Sequence, residues 1–266
     1  VRILAKIGGA QLEEPARRAL MARAVRRAVE AGHEVVVVHG GGNQIRELGK
    51  RLGIAERQHE GLRVTDAETA DLVLMVLAGL VNKALVHDLC AAGVRAVGYA
   101  GADAGSFHAR KHEPAGVDIG YVGAIAKVDP TLTFALLEQG FTPTIATSAP
   151  LAAGEPGPSD HSYNVNADLA AGPLAAALSC DALLFLTDVP GVLDASKARC
   201  ASLSRARCAE LKAAGVVSGG MIPKVDAALS ALEALPRGLV KIAPADGDDC
   251  VLRALADDAG TRFVLS

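Results

Sequence analysis

Two lysines stand beside glycine pairs near opposite ends of the chain, in Lys6-Ile7-Gly8-Gly9 and Gly219-Gly220-Met221-Ile222-Pro223-Lys224. A lysine is seldom buried without a counter-ion, and glycines let backbone N–H groups approach an anion closely. Lys6 therefore reads either as an edge lysine before an ordinary turn or as a cation facing an anion-binding cleft. Lys224, near the start of a helix, reads equally well as a solvent-facing residue. His39-Gly40-Gly41-Gly42 ends an apolar strand and opens a helix. A tight turn there needs one glycine; three favour a loop that binds carboxylate or phosphate at the positive end of the helix. The spacing is neither a Walker A loop nor GxGxxG. In Asn164-Val165-Asn166-Ala167-Asp168, Asn166 or Asp168 serves the helix start, or the cluster offers polar contacts between lobes. Asp188-Val189-Pro190-Gly191, taken alone, reads as a Pro-Gly turn opened by Asp.

The set says more than its members. Two lysines beside glycine loops, one aspartate and no evident general base suit electrostatic catalysis on phosphate. Phosphoryl transfer needs positioning and charge neutralisation more than covalent help. No GxSxG and no Cys–His set supports a hydrolase.

The elements that must position these residues alternate between strand and helix. VRILAKI is an apolar strand, and Pro15 to Ala31 is a helix with Leu20, Ala24 and Ala28 on one face. The four valines of 34–38 show no alternation, which indicates a strand covered on both sides in a parallel sheet. A helix over 43–52 follows. Thr65-Asp66-Ala67-Glu68 reads as a capping box with Thr65 as the cap, opening a long helix to Ala92 broken near Gly79. Strands are expected at 94–99, 142–148, 182–187, 240–243 and the C-terminus, with a hairpin-like excursion over 101–118. Together they predict an α/β fold with a mainly parallel sheet and right-handed crossovers. No flexible linker marks a lobe boundary near 170–180, so the lobes are expected to share one sheet.

Composition narrows the function classes. The 266 residues include 27 Lys plus Arg and 30 Asp plus Glu, so 27 − 30 gives −3, which disfavours gripping nucleic acid or anionic membrane by bulk charge. Aromatics are too scarce for a base-stacking surface. Five scattered cysteines without CxxC point to reduced thiols in a cytoplasm. His108 and His112, in an expected loop, fall short of a zinc ligand set. The run Leu72–Val81 is too short to span a bilayer, and the N-terminus lacks a signal-peptide pattern.

KIGG at 6–9, HGGG at 39–42, GLRVTD at 61–66, NVNAD at 164–168, LTDVPGVL at 186–193 and GGMIPK at 219–224 together resemble the acetylglutamate kinases of the amino acid kinase family. The resemblance runs in order along essentially the whole chain. It implies a three-layer α/β/α sandwich with an amino-acid lobe at 1–173, which also carries the dimer surface on the helix near 66–92, and a nucleotide lobe at 174–266. It implies transfer of the ATP γ-phosphoryl group to the side-chain carboxylate of N-acetyl-L-glutamate in arginine biosynthesis, with Mg²⁺ bound mainly through ATP phosphates and no metal ligands from the chain.

Position by position, Lys6 and Lys224 match the lysines that stabilise the transition state, and Asp168 matches the aspartate that organises them. Gly9 and Gly41 match donors to the transferring group. Gly41, Gly42, Arg63 and Asn164 match substrate contacts, with Arg63 suited to a bidentate hold on the α-carboxylate. Asp188, Val189, Pro190, Gly191, Val192 and Leu193, with Val216, Val217, Ser218, Gly220 and Met221, match nucleotide-binding stretches. The chain is similar to the shorter, arginine-insensitive homodimeric members, and differs by one residue in spacing at 172–177. Two rival expectations stand beside this one: a kinase for a longer blocked acid such as an aminoadipate derivative, and an idle amino-acid-binding regulator.

Overall fold

Val35, Val36, Val37 and Val38 are all buried, because the strand that holds them has a parallel neighbour on each edge and a packed layer on each face. The computed structural model describes residues 1–256 and 259–265. Strand β1 (Arg2–Ile7) leads through a 3-10 turn at Gly9–Leu12 to α1 (Pro15–Glu30), β2 (Glu34–His39) and α2 (Gly42–Leu52). A small hairpin, β3 (Gln58–His59) and β4 (Leu62–Arg63), precedes a long helical stretch in three parts. These are α3 (Ala67–Leu74), a π-helical turn at Met75–Val81, and α4 (Asn82–Ala91). Next come β5 (Ala96–Ala100), β6 (Phe107–Lys111), β7 (Val122–Val128), α5 (Thr131–Glu138), β8 (Thr142–Ala146), β9 (Ser148–Ala149) and β10 (Tyr163–Val165). The remainder is α6 (Ala167–Ala177), β11 (Ala182–Thr187), β12 (Ser202–Ser204), α7 (Arg205–Ala213), α8 (Met221–Ala234), β13 (Leu239–Pro244), α9 (Cys250–Leu255) and β14 (Thr261–Val264).

Eight strands form one sheet in the order β12-β14-β13-β11-β1-β2-β8-β5. From β13 to β5 every pairing is parallel; β14 runs antiparallel to β13. Alternate residues face two separate cores. Ile3, Ala5 and Ile7 pack with Met21, Val25, Leu85 and Val251 from α1, α4 and α9. Leu4 and Val36 pack with Leu174 and Leu229 from α6 and α8. The result is the expected three-layer α/β/α sandwich. A second, four-stranded sheet, β6-β7-β10-β9, adds its Phe107 and Tyr163 to the α6–α8 face.

Several local expectations change. The cap of α3 is Asp66, whose carboxylate accepts the Thr69 N–H; the Thr65 hydroxyl is spent on the Arg63 carbonyl instead. His108 lies within β6, opposite Lys127, not in a loop. The sheet is continuous across 173/174, as expected for lobes that share one sheet: β1 joins β11 edge to edge, while the position itself lies within α6. By length and composition alone the whole helical stretch Ala67–Ala91 would reach across a membrane, but half of its apolar window is buried in this fold.

Candidate active site

Chain order places the site. From β1 the sheet grows one way to β2, and the second half returns on the other side as β11. The carboxyl ends of parallel strands at such a reversal form a crevice. A cavity of about 270 Å³ opens there, lined by Lys6, Gly8, Gly9, Gly40, Gly41, Gly42, Arg63, Asn164, Asp168 and Lys224 among others.

Lys6 stands on the α6-facing side of β1, one step beyond the buried Leu4 on the same face. It meets Asp168 in the first turn of α6, with Nζ 2.6 Å from Oδ1. The contact is an ion pair between two largely buried side chains. Lys224, in the first turn of α8, donates to Asp168 Oδ2 at 3.4 Å. One carboxylate thus holds two ammonium groups. Burial alone would raise the Asp168 carboxyl, but Lys6 and Lys224 bring it below the usual carboxylate range. Burial pushes Lys6 below an ordinary lysine; Asp168 opposes that shift and Lys224 adds to it. The pair is held ready for an anion that would take over part of the neutralising role of Asp168.

The α6 start is built by Asn166, whose side-chain oxygen accepts the N–H groups of Asp168 and Leu169. That cap frees Asp168 to face the lysines.

The glycine loop works by close approach. Gly41 has φ 174°, ordinary extended backbone. A Cβ there would lie 2.7 Å from Leu77 Cδ2 of the π-helical turn. A Cβ on Gly9 would sit 3.5 Å from Gly41 N and 3.4 Å from Gly42 N, so the two loops press together. As opening residues of helical turns, Gly9, Gly41 and Gly42 have N–H groups without an acceptor one turn back.

At the other end of the cavity Arg63 pairs with Glu56 at 2.7 Å and donates to the Gly42 carbonyl at 3.0 Å. Glu56 also takes Arg46 at 2.5 Å and Gln58 at 3.0 Å. Burial would raise Glu56, but these partners hold it below the usual range. Thr65, fully buried, accepts from Asn164 Nδ2 at 3.3 Å and donates to the Arg63 carbonyl at 2.8 Å. It ties the two expected substrate contacts together.

A second cavity, lined by Gln11, Arg17, Thr187, Asp188, Val189, Pro190, Pro244, Ala245 and Asp246, lies at the carboxyl ends of β11 and β13. The Gly9–Leu12 turn runs between the two, with Gly9 on one and Gln11 on the other. Beyond Pro190 the turn passes inward: Gly191 has φ +140° and would clash with Thr261 if it carried a Cβ, and buried Val192 donates its N–H to Thr261 Oγ1. Leu193 bridges to Arg199. Val216, Val217, Ser218, Gly220 and Met221 line neither cavity. Val217 is buried, Val216 and Met221 pack against the core, and Ser218 and Gly220 form the exposed entrance to α8, the helix that carries Lys224.

Sequence reasoning missed Arg46, Glu56 and Gln58, all on the first cavity. For Glu56 and Gln58 the polar segment before Arg63 was the available signal, but no spacing rule says which of its side chains turn inward; Arg46 lies on α2, outside any motif. It also missed Pro244–Asp246, which follow a strand end without a motif.

The sequence profile of the amino acid kinase family matches residues 1–240. An acetylglutamate kinase of Koribacter versatilis is 44% identical over 245 residues, covering 92% of this chain and 91% of that protein. One from Synechococcus sp. is 44% identical over 234 residues, covering 87% and 76%. The solved structure of smu.665 from Streptococcus mutans UA159 is 28% identical, with a TM-score of 0.82 over 100% of this chain and 99% of that one. Sequence, architecture and the order of the glycine loops agree, and the chain belongs to the amino acid kinase family, among its acetylglutamate kinases.

Proposed function

We propose that this protein transfers the γ-phosphoryl group of ATP to the side-chain carboxylate of N-acetyl-L-glutamate, the phosphorylation that serves arginine biosynthesis. The observation that carries the mechanism is the shared carboxylate: Lys6 and Lys224, from distant parts of the chain, converge on Asp168 in a glycine-lined cavity. A substrate carboxylate oxygen attacks the γ-phosphorus while the bond to the β–γ bridging oxygen breaks, so ADP leaves and an acyl phosphate forms. Two anions must meet. Lys6 and Lys224 offset their repulsion as charge shifts towards the leaving oxygen, and Asp168 keeps the ammonium groups aimed and close. Gly9 and Gly41 N–H groups donate to the equatorial oxygens. Arg63 takes the α-carboxylate, and Asn164, Gly41 and Gly42 fix the acylamino end.

The nucleotide occupies the side of β11 and β13, with Asp188–Leu193 as one wall and Val216–Met221 at the α8 entrance as the other. This reading divides the chain into a substrate lobe at 1–173 and a nucleotide lobe at 174–266. Both oxygens of Asp168 are committed to lysines and Glu56 is committed to arginines, so Mg²⁺ fits here as a passenger on the ATP phosphates; when bound it neutralises charge on them. The exposed apolar face of Leu74, Met75 and Leu80 supports a homodimer. Five free thiols suit the cytoplasm.

The test is ADP release with Mg-ATP and N-acetyl-L-glutamate, run beside N-acetyl-aminoadipate and N-succinylglutamate, with hydroxylamine trapping of the acyl phosphate. N-acetyl-L-glutamate should give the highest kcat/KM. A clear preference for the aminoadipate derivative moves the assignment to that substrate. Binding of N-acetyl-L-glutamate without ADP release replaces the enzyme with a regulator.

A further inference from the structure

His39 is wholly buried and its ring lines neither cavity, yet both of its ring nitrogens have polar partners. Its Nδ1 lies 2.9 Å from the Gly40 carbonyl oxygen. A carbonyl only accepts, so Nδ1 carries the proton. Its Nε2 lies 3.0 Å from Asn82 Nδ2, and an unprotonated Nε2 is the acceptor that this amide needs.

The amide orientation is itself fixed twice. Asn82 Nδ2 donates to the Thr144 carbonyl at 2.9 Å, and Asn82 Oδ1 accepts from Lys83 Nζ at 3.1 Å, an ammonium with nothing but donors. Lys83 is anchored by the Gly98 carbonyl at 2.8 Å. Gly98 leaves room for the network: a Cβ there would fall 1.9 Å from Asn82 Oδ1. The chain of bonds runs one way only, from Lys83 through Asn82 and His39 to Gly40.

The end of that chain bears on the cavity. In a trans peptide the C=O of one residue and the N–H of the next point in opposite directions. Holding the Gly40 oxygen on the buried side therefore aims the Gly41 N–H away from His39, towards the Gly9 loop that presses against it.

We propose that His39 is a positioning residue: locked by Asn82 and Lys83 as the Nδ1-protonated tautomer, it orients the Gly40–Gly41 peptide so that the Gly41 N–H faces the transferring phosphoryl group. The proposal rests on the phosphoryl-transfer reading above for the use of that N–H, but not for the tautomer.

Two measurements test it. In the wild-type protein, ¹⁵N-labelled imidazole spectra should show a protonated Nδ1 and an unprotonated Nε2 for His39. A protonated Nε2 overturns the proposal without any variant. His39→Asn places an amide nitrogen where Nδ1 stands and should recover most of the turnover. His39→Gln keeps an acceptor for Asn82 but leaves the Gly40 oxygen unheld. It should lower kcat by roughly 30-fold with either KM changed less than about twofold, the pattern of an interaction used in the transition state. A residue that only fills the core would separate the two variants by melting temperature and not by kcat. Equal kcat values, or a loss carried by KM, overturn the proposal. Absence of wild-type ADP release with N-acetyl-L-glutamate would instead sink the kinase reading, while the tautomer spectrum would still stand or fall by itself.

Discussion

Asp168 holds two lysines that would otherwise repel each other, and it is nearly buried while doing so. Removing one partner of such a cluster exposes the cost of the other. Lys6→Met should lower kcat by about 10²- to 10³-fold, the scale for losing one donor to developing charge. It should also destabilise the fold by about 3 kcal/mol, because Asp168 loses its nearer counter-ion. Adding Asp168→Asn to Lys6→Met should recover part of that stability and none of the turnover. Urea unfolding and steady-state kinetics on the single and double variants check both halves; a stable, active Lys6→Met protein would remove Lys6 from the mechanism.

His39 makes a separate prediction from its burial. Burial lowers its pKa from 6.5 to about 4. Between those values the unfolded chain binds a proton that the folded chain does not. Stability therefore falls as pH drops from 6.5 towards 4, by on the order of 3 kcal/mol from this group. The depressed Asp168 carboxyl acts in the same direction at lower pH. Unfolding free energies measured at pH 7 and pH 4.5 should show a smaller drop for His39→Asn than for wild type. Equal drops would contradict the burial assignment.

At the scale of elements, the Asp168–Lys224 contact is set by how closely α6 and α8 approach. Both residues lie in the first turn of their helices. The helices touch where Gly172 faces Ala231, and a Cβ on Gly172 would already sit 3.0 Å from Ala231 Cα and Cβ. A larger side chain must push the helices apart. Gly172→Val should cost about 1–3 kcal/mol and lower kcat, since the 3.4 Å contact lengthens before the helices unfold. Thermal melts and kcat together check this; an unchanged kcat with a lowered melting temperature would show that the lysine does not depend on helix spacing.

At the scale of the whole molecule, the long helical stretch presents an apolar surface. Met75 and Leu80 are 55% and 58% exposed, with Leu74 beside them. The opposite side of the same helical stretch carries Leu77 against Gly41 and Asn82 against His39. A second copy of the chain seated on the exposed side would cover that patch. Leu80→Glu should give a folded monomer by sedimentation velocity while wild type sediments as a dimer. A wild-type monomer would refute the proposed homodimer.

The sequence by itself determined the alternation of strand and helix and the mainly parallel sheet, because hydrophobic periodicity is a local property. Unbroken valines meant a covered strand, and glycine clusters at strand ends marked the loops that line the cavity. Lys6, Asp168 and Lys224 were legible as residue types suited to phosphate. Their meeting on one carboxylate was implied by the family resemblance and not by residue types or spacing, since only the approach of α6 and α8 to β1 brings the three together. The same holds for smaller choices. Thr65 and Asp66 compete for one cap, and the hairpin at β3 and β4 decides it by taking the Thr65 hydroxyl for Arg63. Glu56 carries no spacing signal, and the fold turns it inward against two arginines. Chain neighbours settle conformation, whereas partners distant along the chain settle protonation, pairing and aim, because only the folded state removes the water that would otherwise satisfy those groups.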